Sequence, residues 1–430
     1  MEKRYKVTSL GCRTNQYEAK ALENQLEKIG YTSGEDADVC IVNTCTVTAG
    51  ADSASRAKVR QLLRENPKAK VVVTGCMAEA SKKELEGMDD RVEVFLNKDK
   101  EKIIEKLFPN IDSYPEFNIE QFEGNTRAFV KIQDGCNSFC TYCIIPYVRG
   151  RSRSRNIPEI LSEIRKLVHQ GYKEIVLTGI NIGDFDGDGE SKRLSDLVYE
   201  VDKIEGLERI RISSIDPDEV EKDLLDAVID CRKTCPSMHI VLQSGSNSVL
   251  KRMNRKYTSQ IFLETIDRLR EADPSFTFTT DVIVGFPGET ERDFEETVDI
   301  IKQVRFAKVH MFPYSRRKRT RAALYPDQVH PDIMKERKQR LLHLAEKESF
   351  ALRDTFVGTK AKVLLEKKEF SDYIEGHTET FLPVKIFSKE LVRNDLVSVD
   401  LVENTAEGLV GNLVEIVSAA KTLNPLKVLA

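Results

Sequence analysis

The run Cys136-Asn-Ser-Phe-Cys140-Thr-Tyr-Cys143 constrains this chain more than any other stretch. Its C-x3-C-x2-C spacing gathers three thiolates closely enough to hold three irons of one 4Fe–4S cluster. A closed structural site takes four ligands. Three ligands leave one iron open to a substrate or cofactor, by the logic of an open catalytic zinc position. The alternative is a zinc knuckle, which needs a fourth Cys or His at similar spacing. The histidines, His169, His239, His310, His330, His343 and His377, all lie far from the run in sequence.

With 430 residues the chain is long enough for two or three domains with substantial cores. Its 32% charged and 40% hydrophobic residues suit a soluble globular protein. The net charge of -4 excludes a polybasic surface overall, so any nucleic-acid contact is local. Nine cysteines without an export signal predict a reducing, cytoplasmic setting and metal ligation in place of disulfides. Met1-Glu-Lys-Arg-Tyr5 leads into a strand-like run, not an apolar signal core, and no stretch approaches a membrane span. No membrane contact is expected.

The pattern predicts an α/β protein in three parts, over residues 1–115, 122–355 and 356–425. Short apolar runs at 5–10, 39–43, 71–74 and 92–95 read as buried parallel strands. Amphipathic stretches at 18–29, 53–64 and 100–108 read as helices, giving an open parallel α/β domain. Residues 110–125, rich in acid, Pro and aromatic side chains, read as a linker. Further strands at 128–133, 174–178, 209–213, 239–243, 276–284 and 308–312 alternate with helices at 157–170, 219–231, 259–271 and 291–304. Six strands with crossovers predict a partial (β/α)6 barrel, with the Cys run just beyond its first strand, at the mouth where such barrels place chemistry. A charged helix at 332–356 leads to strands at 360–368, 380–387, 396–401 and 409–417, which fit a small antiparallel β-barrel of the OB type.

Cys12, Cys45 and Cys76 are far apart in sequence but share a context. Each stands just beyond a predicted parallel strand: Leu10-Gly11-Cys12, Asn43-Thr44-Cys45 and Thr74-Gly75-Cys76. Ligands of open α/β sheets gather at the carboxyl ends of strands. Gly11 and Gly75 leave room beside the backbone. The trio reads either as a second three-ligand cluster site or as three ordinary buried thiols. Cys40 lies inside the apolar run Val39-Cys40-Ile41-Val42 and reads as core. Cys231 and Cys235, with no further ligand nearby, read the same way.

These stretches together resemble the radical S-adenosylmethionine methylthiotransferases over essentially the whole chain. The resemblance rests on Leu10-Gly-Cys-Arg-Thr-Asn-Gln-Tyr17, Asn43-Thr-Cys-Thr-Val-Thr48, Val73-Thr-Gly-Cys76, Lys131-Ile-Gln-Asp-Gly-Cys136 through Pro146, Leu177-Thr-Gly-Ile-Asn181, Leu242-Gln-Ser-Gly-Ser246 and Thr280 through Glu289. It implies an N-terminal methylthiotransferase domain, a radical barrel and a C-terminal RNA-binding TRAM barrel. Asn43-Thr-Cys-Thr-Val-Thr48 and Pro313-Tyr-Ser-Arg-Arg-Lys318 resemble the branch that acts on tRNA N6-threonylcarbamoyladenosine. One departure is Arg319, where that pattern has Gly.

The resemblance implies two 4Fe–4S clusters and S-adenosylmethionine. Cys136, Cys140 and Cys143 would hold the cluster that reduces S-adenosylmethionine to a 5′-deoxyadenosyl radical. Cys12, Cys45 and Cys76 would hold the second, which presents the sulfur. The reaction would replace an adenine C2–H by C–S–CH3, a bond change that needs a radical cofactor. It also implies cofactor contacts: Tyr142 over the adenine, Gly179 and Asn181 near the amino acid end, Ser213, Gln243 and Asp281 near the ribose or carboxylate, and Gly285 allowing close approach. An ordinary strand-end hydrogen bond is the alternative for each polar residue.

Partners implied are the tRNA anticodon arm, an electron donor such as flavodoxin or ferredoxin, and a sulfur source. Arg149, Arg151, Arg153 and Arg155 alternate, so an extended segment would present all four on one side. Residues 305–321 hold seven cations, including Arg316, Arg317 and Lys318, and no acid. Such patches track phosphates. The threonylcarbamoyl group carries a carboxylate, and the Ser315-Arg316-Arg317 turn is the expected cation for it. Two other readings stay open: methylthiolation of a ribosomal-protein side chain, and an iron–sulfur or RNA-binding protein without turnover.

Overall fold

The structure, a computed structural model, describes residues 3–120, 126–367, 372–388 and 390–420. The end of the expected linker at 121–125, Lys368 and the stretch 421–425 lie outside the described residues.

The first layer is a parallel sheet of β1 (Arg4–Ser9), β2 (Thr32–Ser33), β3 (Val39–Thr44), β4 (Lys70–Gly75) and β5 (Val92–Val94), in the order β2-β1-β3-β4-β5. Helices α1 (Arg13–Lys28), α2 (Ala49–Glu65), α3 (Cys76–Glu86) and α4 (Ile103–Leu107) flank it. β3, Val-Cys-Ile-Val-Asn-Thr, is buried at every residue, as a parallel strand covered on both faces must be. One face packs Leu22, Leu26, Val39 and Ile41, the other Cys40, Val42, Leu62 and Met77. Cys40 is therefore core, as its apolar run implies.

The second part runs from β6 (Arg127–Lys131), β7 (Gln133–Asp134), α5 (Ile145–Val148), β8 (Arg153–Ser154), α6 (Ile157–His169), β9 (Glu174–Thr178), α7 (Leu194–Asp202) and β10 (Arg209–Ile212) into α8 (Lys222–Asp230) and β11 (Ser237–His239). It continues through α9 (Asn247–Arg252), α10 (Ser259–Ala272), β12 (Thr277–Val284), α11 (Glu291–Val304), β13 (Lys308–Pro313) and α12 (Pro331–Asp354). Two parallel three-stranded sheets, β6-β9-β10 and β11-β12-β13, are joined by bridges Ile210–Thr234 and Ile215–Ile240. The result is the expected six-stranded partial barrel. Three of its helices start on side-chain caps: Asn156 for α6, Thr258 for α10, and a Thr290–Asp293 capping box for α11.

The open side of the barrel, next to β6, is where the N-terminal layer packs. Tyr17 and Ala21 of α1 belong to the barrel's core, while Leu22 and Leu26 of the same helix belong to the first layer. Tyr17 donates to Glu163 of α6 at 2.9 Å.

Strands β14 (Lys360–Lys367), β15 (Ile374–Thr378), β16 (Pro383–Ile386), β17 (Leu396–Thr405) and β18 (Gly408–Ser418) form a closed five-stranded barrel. It docks on the strand-start end of the large barrel, opposite the Cys run. Arg209 donates to Lys362 O at 2.7 Å and Arg211 to Thr378 O at 2.8 Å. Both guanidiniums also pair with buried Glu174. No helix among the described residues is long and apolar enough to cross a membrane.

Candidate metal and cofactor centre

β1, β3 and β4 are hydrogen-bonded neighbours, so the chain leaves one edge of the sheet three times in succession. Cys12 caps α1, Cys45 follows β3, and Cys76 opens α3. Gly11 has φ +94°, and a Cβ there would stand 2.8 Å from Cys45 Sγ. Gly75 has φ +96°, and a Cβ there would stand 2.4 Å from Thr44 O. The two glycines are what let the three turns pack this tightly. Burial raises the Cys76 thiol to about 11, against the pull of Arg149.

The second trio lies in the irregular loop between β7 and α5. Gly135, at φ +73°, turns the chain where a Cβ would meet Arg151 O at 2.0 Å. Cys143 N donates to Cys140 O at 3.0 Å, and Thr141 is tied to Arg252 O and Met253 O. Burial pushes Cys143 up to about 12, and the neighbouring Cys140 and Cys136 thiols add to the rise. Such thiols deprotonate when a metal takes them, and binding releases the protons.

All nine cysteines are free thiols. Among the described residues no three Cys, His, Asp or Glu side chains are grouped tightly enough for a single metal ion. A cubane takes one thiolate per iron, so its ligands stand farther apart than those of a mononuclear site. The all-thiol donor sets and their loop settings fit iron–sulfur clusters.

The cofactor candidates divide. Gln243, at φ +62° and 9% exposed, has a buried Oε1 without a hydrogen-bond partner among the described residues. Asp281 is partly exposed and lies 3.4 Å from His239 Nε2. Ser213 Oγ accepts from Thr178 at 3.5 Å. Tyr142 packs edge-on against Phe286, at 6.5 Å between ring centroids. Asn181 is already engaged, donating to Glu219 at 2.9 Å. Gly179 makes room for Gln133, whose Oε1 accepts from Ile180 N and Asn181 N. At Gly285 a Cβ would fall 2.1 Å from Met334 Cγ, so its missing side chain makes room for Met334 of α12.

The arginine quartet is corrected. Arg149 follows helix α5, not an extended strand, and is 3% exposed. It donates to Glu18 and to Asp134 at 2.8 Å, so it is not open to RNA. Arg155 is held by Glu163 at 2.6 Å and by the Tyr17 hydroxyl at 3.1 Å. Only Arg151 and Arg153 are exposed. In the second run Arg317 is 9% exposed and donates to Asp52 at 2.7 Å and Thr46 at 2.8 Å, latching the barrel mouth to α2. That removes it as a reader of substrate. Arg316, Lys318, Arg319 and Arg321 remain exposed. Arg319 adopts φ +75°, the left-handed turn that the expected Gly would have taken freely, and lies 5.2 Å over Tyr147.

Sequence reasoning missed Arg255. Its Nη1 donates to Cys140 Sγ at 3.1 Å, its other nitrogen binds Asp216, and the fork stacks 4.8 Å over Tyr257. A lone Arg 115 residues beyond its partner gives no local signal. Glu219 was missed too; burial and the nearby Asp216 raise it to about 7.

Residues 130–301 match the Radical SAM superfamily, and residues 4–97 match the Uncharacterized protein family UPF0004. The fold is like that of the radical S-adenosylmethionine methyltransferase TsrM from Kitasatospora setae, with TM-score 0.54 and 14% identity over 75% of this chain and 77% of that one. The fold and the Cys run thus define a radical S-adenosylmethionine enzyme. The chain is 49% identical to the threonylcarbamoyladenosine tRNA methylthiotransferase MtaB of Chlamydia pneumoniae, over 95% of this chain and 98% of that protein. It is 37% identical to the protein of that name from Bacillus subtilis, over 92% and 93%. It is 36% identical to the tRNA-2-methylthio-N(6)-dimethylallyladenosine synthase of Thermoanaerobacter pseudethanolicus, over 96% and 93%. The chain belongs to the radical S-adenosylmethionine tRNA methylthiotransferase family, whose cofactors are two 4Fe–4S clusters and S-adenosylmethionine.

Proposed function

We propose that this enzyme converts N6-threonylcarbamoyladenosine, next to the tRNA anticodon, into its 2-methylthio derivative. The observation that carries this reading is the 49% identity, over almost the full length of both chains, to a relative named for that substrate. Cys136, Cys140 and Cys143 hold one cluster, and Cys12, Cys45 and Cys76 hold the other. The clusters and S-adenosylmethionine supply the radical, the sulfur and the methyl group.

The chain's own residues hold and orient. Arg255 fixes Cys140 and gives its sulfur a hydrogen bond, which moderates the charge a thiolate carries there. Gln243 and Asp281, at the barrel mouth and just inside it, offer acceptors to the cofactor. Arg151, Arg153, Arg316 and Lys318 attract the phosphates of the anticodon arm. The Arg149–Glu18–Asp134 cluster fixes the first trio's layer against the loop of the second. The electron donor is a flavodoxin- or ferredoxin-like protein, a separate source replenishes the sulfur, and the setting is the cytoplasm.

Competition between tRNA carrying N6-threonylcarbamoyladenosine and tRNA carrying isopentenyladenosine tests the assignment. The threonylcarbamoyl form should be methylthiolated first. Preference for the isopentenyl form would move the enzyme to the other branch, and modification of neither would reopen a protein substrate.

A further inference from the structure

The core of the large barrel shows which strand residues face its lumen. Ala128, Val130, Ile210, Ile212, Phe278 and Val282 belong to the core that the strands share with the surrounding helices. Side chains alternate along a strand, so their neighbours point inward. Near the strand starts the lumen holds Arg127, Arg209 and Arg211 around Glu174. Above them come Phe129, His239, Asp281 and His310.

Arg13, the first residue of α1, reaches into this second layer from the open side of the barrel. Its guanidinium carbon lies 5.7 Å from the Phe129 ring centroid. The side chain is partly buried, yet among the described residues it has no hydrogen bond or ion pair. Comparable cations nearby are all paired: Arg211 with Glu174, Arg255 with Asp216, Arg317 with Asp52. Asp281, the acid that faces Arg13, lies 3.4 Å from His239 Nε2. Its backbone neighbour is Cys12, a ligand of the sulfur-presenting trio.

Given the substrate proposed above, we infer that Arg13 receives the carboxylate of the threonylcarbamoyl group and so selects the modified base. A planar fork over an aromatic ring, without a carboxylate of its own, matches a free carboxylate in two parallel hydrogen bonds. In the Ser315-Arg316-Arg317 turn expected from sequence, Arg317 is occupied by Asp52, which leaves Arg316 as the exposed cation there. Placing the N6 substituent toward Phe129 and Arg13 leaves adenine C2, on the same edge of the base, near the mouth between the two cysteine trios.

The test uses reconstituted holoenzyme and an anticodon stem-loop in two forms, the natural acid and its methyl ester. Wild type should bind the acid about 10- to 100-fold more tightly than the ester. Arg13→Gln and Arg13→Met should bind both forms equally, with iron content and the KM for S-adenosylmethionine cleavage unchanged. Arg13→Lys should keep only part of the discrimination. If wild type prefers the acid and the neutral variants prefer it as strongly, the inference is overturned. It is also overturned if the variants lose affinity for S-adenosylmethionine instead, since Arg13 would then serve the cofactor. Should neither neutral variant load iron, the lysine variant decides, and full wild-type discrimination there counts against the fork. A wild type that favours isopentenyladenosine fails the substrate reading itself, a result distinct from all of these.

Discussion

Arg149 joins Glu18 across the boundary between the barrel and the N-terminal layer, with hydrogen bonds of 3.0 and 3.1 Å from its two terminal nitrogens. Both side chains are closed to solvent. Glu18 also accepts from Lys100, at 2.5 Å, and from Asn43, while Arg149 holds Asp134. The pair lies between the layers that carry the two cysteine trios. Removing either partner leaves the other's buried charge with fewer counter-charges, which costs up to about 3–5 kcal/mol. Glu18→Gln and Arg149→Met should each lower the urea midpoint strongly. The double variant should lose less than the sum of the two, because the second change removes the stranded charge. Additive losses would mean that the pair is not coupled.

Much of this was legible in the sequence, and the failures have physical causes. β3 and β9 show up as unbroken apolar runs because both faces are covered. β15 did not, because Ile-Glu-Gly-His-Thr is mostly polar and its Gly376 is there for packing; a Cβ would meet Leu364 O at 2.3 Å. The strand expected at 239–243 stops at His239, and Gln243 turns left-handed. The arginine quartet failed because the pairing that buries Arg149 spans 131 residues, which no local alternation reports. The three strand-end cysteines were readable because the order β1-β3-β4 follows from simple parallel crossovers.

Acid should weaken the junction between the large and small barrels. Burial alone would raise Glu174, but Arg211 and Arg209 outweigh it and hold the carboxyl at about 2, below its ordinary 4.5. A depressed carboxylate contributes stability that is full above about pH 4.5 and lost as pH falls toward about 2. The stability difference between wild type and Glu174→Gln, followed by circular dichroism in urea, should shrink by roughly 2–3 kcal/mol from pH 6 to pH 2.5. A difference independent of pH would show that Glu174 is not ionised in the fold.

Neutralising Arg316, Lys318 and Arg321 to Gln should weaken tRNA binding and flatten its salt dependence by about 2 in log–log slope. Cleavage of S-adenosylmethionine without tRNA should stay the same. Arg317→Gln should instead lower stability, since it breaks the contact with Asp52. An unchanged salt slope in the triple variant would return these cations to plain surface charge.

Iron content separates the two cysteine trios. Replacing Cys12, Cys45 and Cys76 by Ala should reduce the reconstituted iron from about eight to about four per chain and leave reductive S-adenosylmethionine cleavage detectable. Replacing Cys136, Cys140 and Cys143 should abolish that cleavage. Full iron in the first triple variant would remove the second cluster from the account.

The most direct measurement is the nucleoside composition of tRNA from a strain lacking this enzyme, read by mass spectrometry. The account predicts loss of 2-methylthio-N6-threonylcarbamoyladenosine and accumulation of N6-threonylcarbamoyladenosine. Wild-type enzyme should restore the modification, and variants of either cysteine trio should not. An unchanged level of the methylthio nucleoside in the deletion strain would contradict the account.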